Sequence, residues 1–122
     1  MKFRFKKENP DVKQRKKICD ILRNQFSDKI PIICEKAPKY FNIRDIDKTR
    51  YLVPSNLTVS EFIFLIRKRN ELSKEEAFFL LVNGKHQIYG DTPLSEIYER
   101  YKDPKDGLLY IAYASELTWG NI

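Results

Sequence analysis

The sequence predicts an α+β roll, and three observations carry that reading. Four stretches rich in β-branched, aliphatic and aromatic residues, over 30–35, 51–53, 77–82 and 108–113, have the length of strands. Three further segments, around Ile18, Phe62 and Ile97, repeat apolar residues at helical spacing. The elements then follow in the order helix, strand, strand, helix, strand, short strand, helix, strand. With 122 residues, 42% hydrophobic content, 8 Phe and 7 Tyr, the chain suits one domain around one compact core.

Taken in order, residues 1–7 alternate basic and aromatic side chains, which is no secretory signal. Asn9, Pro10 and Asp11 supply turn chemistry and helix initiation. Ile18, Ile21 and Leu22 then recur at i, i+3 and i+4, giving one apolar face to a helix that runs to about Gln25, with charged residues on the other face. A strand follows over 30–35, with Pro31 near its beginning, where a missing donor costs least. A polar, aromatic connection spans 39–47.

The strand over 51–53 is followed at once by Pro54, which is tolerated at a strand end or on an outer strand. An outer strand can pair with a peptide. Thr58 and Glu61 form an S/T-x-x-E capping box that opens a helix from Val59 to about Asn70. Val59, Phe62, Ile63 and Ile66 share its face, and Phe64 and Leu65 widen the apolar surface, so burial of more than one side is expected. Arg67, Lys68 and Arg69 complement its carboxyl end. Ser73 and Glu76 form a second capping box of one turn before the 77–82 strand.

Asn83 and Gly84 make a turn, and 85–91 holds a short return strand. Thr92 is the expected N-cap of the last helix, with Pro93 at its first position and Leu94, Ile97, Tyr98 and Tyr101 on one face. Residues 102–107 form a loop, 108–113 the last strand, and the remainder an extended tail. A final strand returning between the early ones is the order of a ubiquitin-like β-grasp sheet with an added amino-terminal helical arm.

Bulk chemistry narrows the function. The longest apolar runs, 62–66 and 77–82, are too short to cross a bilayer, so a soluble fold is expected. Cys19 and Cys34 lack CxxC spacing and are expected to be reduced and buried, as in a cytosolic protein, unless the fold brings them within reach of one bridge. The net charge of +6 is concentrated in the amino-terminal quarter, which favours acidic peptides, anionic lipid or nucleic acid without choosing among them.

No catalytic constellation emerges: His86 reads as a surface side chain in a turn, and no P-loop, nucleophile elbow or metal-ligand spacing is present. Glu75, Glu76, Asp103 and Asp106 read as solvated charge. An enzyme, a cofactor and a metal are therefore not expected. Phe3, Phe5, Tyr40, Phe41, Tyr51 and Trp119 interleave with basic residues, as in single-strand nucleic-acid binding, but the RNA-recognition spacing is missing and nucleic acid is the disfavoured partner.

At 48–54 (KTRYLVP), 62–69 (FIFLIRKR), 77–84 (AFFLLVNG), 109–113 (LYIAY) and 30–38 (IPIICEKAP), beginning with Met-Lys-Phe, the chain resembles the autophagy ubiquitin-like modifiers. This is the family of the GABA-receptor-associated protein and microtubule-associated light chain 3. The resemblance implies a helical arm over 1–28 made of two helices, a ubiquitin-like domain over 29–115, and a tail over 116–122. It also implies a cysteine protease that cuts after Gly120, activating and conjugating enzymes that carry the freed carboxylate as an adenylate and thioesters, and transfer to phosphatidylethanolamine. The protein would be cytoplasmic, and on autophagosomal membrane when lipidated.

The resemblance further implies docking of cargo receptors bearing an aromatic-x-x-aliphatic motif, usually preceded by acidic residues. The aromatic pocket falls to Leu22, Pro31, Ile32, Arg50, Leu52 and Leu108, and the aliphatic pocket to Tyr51, Val53, Pro54, Leu57, Phe62 and Leu65. Lys48, Arg50 and Arg69 would receive the acidic flank. Three residues depart from the family pattern: Ile18 where an acidic residue is common, Leu108 where Phe is usual, and Trp119 in place of Phe or Tyr before the glycine. The competing readings are an unconjugated protein-interaction or microtubule-binding adaptor, and then a basic RNA-binding domain.

Overall fold

The structure, a computed structural model, describes residues 1–38 and 44–115. The expected tail and Gly120, with Tyr40, Phe41 and Trp119, lie outside the described residues. Two helices, α1 (Arg4–Glu8) and α2 (Val12–Gln25), precede strands β1 (Lys29–Lys36) and β2 (Arg50–Pro54). Helix α3 (Val59–Arg69), strands β3 (Phe79–Val82) and β4 (His86–Ile88), helix α4 (Leu94–Tyr101) and strand β5 (Leu109–Ala114) complete the order.

The five strands form one mixed sheet in the order β2-β1-β5-β3-β4, with β5 parallel to β1 and every other pairing antiparallel. The pleat divides the side chains of the central strands between two apolar layers. Ile30, Ile32, Cys34, Leu109 and Ile111 face α3 and α4, where Val59, Phe62, Ile66 and Leu94 are fully buried. Ile33, Leu81, Tyr110 and Ala112 face the amino-terminal arm, where Phe3, Phe5 and Cys19 cover them. Each such aliphatic or aromatic side chain contributes about 1.5–3 kcal/mol by leaving water.

Local chemistry explains most boundaries. Asp11 accepts the N–H of Lys13 and caps α2. Thr58 and Glu61 complete the expected capping box, at 3.1 Å from Glu61 N–H to Thr58 Oγ1 and 3.0 Å from Thr58 N–H to Glu61 Oε1. Asn83 and Gly84 both have positive φ, 55° and 73°, the backbone of a type I′ hairpin turn joining β3 to β4. His86 opens β4, is exposed, and stacks on Tyr101 at 5.7 Å between ring centres. Cys19 and Cys34 are free and buried; burial pushes both thiols up and keeps them protonated.

Several expectations are corrected. The buried residues of α2 are Arg15 and Cys19, with Ile18 and Leu22 half-buried and Ile21 exposed, because Arg15 finds a buried partner in Asp106 at 2.9 Å. Asp106 is thus 1% exposed rather than solvated, and Asp103 is half-buried against Lys6 at 2.7 Å. On α3 only one face is buried, through Val59, Phe62 and Ile66; Phe64 is 65% exposed and Leu65 40%, since α3 lies on the sheet with nothing described above it. Pro93, not Thr92, occupies the N-cap position of α4, with no side-chain cap. Its main chain instead bridges Thr58, tying the starts of α3 and α4 together.

The second capping sequence forms a turn and no helix: Ser73 N–H donates to Glu76 Oε2 at 2.6 Å, and the chain then enters β3 at Phe79.

A candidate docking groove on the outer strand

Strand β2 is the edge beside β1, and its hydrogen-bond phase follows from one contact. Cys34 N–H donates to Thr49 O at 2.8 Å, in register with the pairs Ile32↔Tyr51 and Ile30↔Val53. In an antiparallel ladder these alternate residues exchange bonds with β1, so the main-chain groups of Arg50 and Leu52 point outward. Pro54 ends the row without a donor. The free edge therefore offers a short run of donors and acceptors to an incoming strand.

Beside this edge, where β1, β2, the arm and the residue before β5 meet, lies a cavity of about 310 Å³. Its walls include Leu22, Pro31, Ile32, Arg50, Leu52 and Leu108, which is every residue expected on the aromatic side. Phe5, Ile18, Ile33 and Tyr51 also line it, so Tyr51, expected on the aliphatic side, borders this cavity as well. Ile33 and Phe5 were not assigned to the site from sequence. Ile33 follows from the pleat, being two residues from Pro31 on the same face. Phe5 carries no comparable signal, because it reaches the cavity only through the tertiary fold of the arm. The Arg50 guanidinium lies 4.9 Å from the centre of the Phe5 ring, a cation–π contact that holds a positive charge at the rim.

The residues expected on the aliphatic side are arranged differently. Tyr51, Val53 and Phe62 are core residues, 4%, 5% and 0% exposed, and the Tyr51 and Phe62 rings meet edge-on at 5.4 Å. Leu57 is half-buried, while Pro54 and Leu65 are exposed and form the accessible part of this set. The Tyr51 hydroxyl is buried and has no hydrogen-bond partner among the described residues; burial pushes its pKa up, so it stays protonated.

The three expected cations are not equivalent. Lys48 Nζ sits 4.8 Å above the Tyr51 ring, and Arg50 covers Phe5. Arg69 is already paired with Asp47, whose carboxyl is held below its usual range by that contact. An incoming carboxylate would displace Asp47 to reach Arg69, whereas Lys48 and Arg50 release only an aromatic face. Among the described residues no cluster of His, Cys, Asp or Glu is arranged to hold a metal ion, and no helix is long and apolar enough to cross a membrane.

A mixed sheet with β1 and β5 parallel near its centre, helices packed on it and two helices ahead of the first strand defines a ubiquitin-like protein with an amino-terminal arm. The family model described as "Autophagy protein Atg8 ubiquitin like" matches residues 14–120, and the chain belongs to this family. It is 46% identical to Autophagy-related protein 8 of Pichia angusta, over 100% of this chain and 94% of that protein. It is 45% identical to the proteins of the same name from Coccidioides immitis and Neurospora crassa, over 99% of this chain and 100% and 97% of theirs.

Proposed function

We propose that this protein is a conjugated autophagy modifier whose β2 edge docks aromatic-x-x-aliphatic peptides. The observation that carries the docking half is the free edge of Arg50 and Leu52 running beside the apolar cavity. A peptide strand paired there spans roughly 10 Å over three residues, so its aromatic and aliphatic side chains need separate seats. The aromatic residue enters the cavity between Leu22, Pro31 and Leu108. The aliphatic residue rests on Pro54, Leu57 and Leu65, and acidic residues before the motif meet Lys48 and Arg50.

The conjugation half rests on family membership and on the family match ending at residue 120. A cysteine protease hydrolyses the bond after Gly120 and releases the segment that begins at Asn121. The Gly120 carboxylate reacts with ATP to give an adenylate and pyrophosphate; an enzyme thiol displaces AMP, and the amine of phosphatidylethanolamine finally displaces the thiol, forming an amide. Glycine suits this path because, without Cβ, it threads narrow active sites. The two acyl chains give a stable anchor where one gives only marginal binding. In this reading the protein is a substrate of enzymes and an adaptor, cytoplasmic when free and on autophagosomal membrane when lipidated, where it recruits cargo receptors.

Both halves are tested together with the protease, the activating and conjugating enzymes and phosphatidylethanolamine liposomes. Gly120→Ala should lose lipidation and keep peptide affinity; Arg50→Ala and Leu52→Ala should weaken motif peptides and keep lipidation. Equal lipidation of Gly120→Ala and the parent would refute the conjugation half and favour an unconjugated adaptor. Unchanged peptide affinity in both groove variants would refute the docking half.

A further inference from the structure

Asp106 does not line the docking cavity, yet its bonds lead to several of the walls. Its Oδ2 accepts from Arg15 Nε at 2.9 Å and from the Tyr110 hydroxyl at 2.6 Å, while Oδ1 accepts from Leu108 N–H at 2.9 Å. A carboxylate 1% exposed is stable only with such partners. Leu108 is the buried floor of the cavity. Arg15 donates onward to the carbonyls of Asn9 and Pro10 at 2.8 and 3.2 Å, and so fixes the start of α2. Three and seven residues further along that helix, on the same side, stand the wall residues Ile18 and Leu22. The Tyr110 ring packs on Phe5 at 6.4 Å, and Phe5 lies beneath Arg50.

We propose that Asp106 is a positioning residue for the aromatic side of the groove: by holding α2, the Phe5 ring and Leu108 in one frame, it sets the width of the cavity and thus its preference for a ring. The inference rests on the docking reading above. Its physical basis is that a cavity between elements is only as wide as their spacing, and close-packed interiors transmit a change in that spacing directly. The aliphatic side is built differently: Leu57 packs with the α3 layer and Leu65 is exposed on α3, away from the layer that Asp106 organises. The effect of Asp106 is therefore confined to one half of the motif.

The test measures the full chain against three synthetic peptides with an acidic flank: one with Phe and Leu at the two motif positions, one with Leu in place of the Phe, and one with Ala in place of the aliphatic residue. Asp106→Asn should reduce the preference for Phe over Leu by about tenfold, while the penalty for Ala at the aliphatic position stays as in the parent. Equal losses at both positions, or an unchanged ring preference, overturn the proposal. Arg15→Lys keeps a positive charge opposite Asp106 but loses its guanidinium geometry, and should shift the same preference in the same direction if Asp106→Asn folds poorly. Methyl NMR supplies a readout without peptide: Ile18, Leu22 and Leu108 should shift in either variant, and Leu57 and Leu65 should not. If the parent binds none of the peptides the docking reading fails, and the methyl shifts alone then uphold or overturn the positioning role.

Discussion

Glu35 sits on β1, 9% exposed, and its two oxygens accept from the backbone N–H groups of Arg4 at 2.6 Å and Phe5 at 2.9 Å. Helix α1 has Phe3 at its N-cap with no side-chain cap, so a strand residue some thirty positions away satisfies the donors that a local Ser or Asp would otherwise take. Glu35→Ala should free the arm at a cost of about 1–3 kcal/mol, the range for buried donors left unpaired, and hydrogen exchange at the Arg4 and Phe5 amides should quicken ahead of the sheet. This role was not legible in the sequence. Nor was the burial of Arg15 and Asp106, because the fate of a charged side chain is decided by a partner that the fold delivers, here across 91 positions. The members of the aromatic wall were legible only through family resemblance, since a half-buried Leu22 or Leu52 has the same local pattern as a core residue.

Helix α3 shows which element-level signals are reliable. Its start was readable because the Thr58–Glu61 box is local chemistry, independent of tertiary context. Thr58→Ala should lower stability by about 1 kcal/mol, seen as a shifted denaturation midpoint with an unchanged slope. Its apolar width misled: Phe64 and Leu65 read as further core, yet a helix lying on one sheet buries one stripe. The strands were legible because β-branched runs between turn residues have few alternatives, and the Asn83–Gly84 hairpin was stated by its dipeptide. Pro93 illustrates the limit of a local rule: the Thr-Pro pair marks the helix start, but Pro93 takes the N-cap position expected of Thr92 and Leu94 the first helical one.

For the whole molecule, the arm is held by charge as well as by Phe3 and Phe5: Lys6 pairs with Asp103 in the loop between α4 and β5, which makes the attachment sensitive to acid. Burial disfavours ionisation of Asp103, but the Lys6 ammonium and the N–H groups of Lys105 and Asp106 outweigh it and hold the carboxyl below its usual range. A depressed carboxyl stabilises the fold above its unfolded pKa, about 3.9, and loses that contribution as pH falls through the lower folded value. Acidification below about pH 4 should therefore loosen α1, and Asp103→Asn should abolish that part of the acid response in hydrogen exchange at Lys6 and Lys7. The order of elements from α2 onward was readable, whereas α1 and the sheet order were expected only from the family pattern. Strand β5 pairs Leu109 with Ile32, 77 positions earlier (109 − 32), and lies between β1 and β3. Until it docks, the β1–β2 and β3–β4 pairs have no shared ladder, and each exposes an inner edge. Folding must then await one long loop closure, a slow step because the other pairings join strands much closer in sequence. A chain severed before Leu109 would be left with unpaired edges on both halves and a tendency to join its neighbours instead of itself.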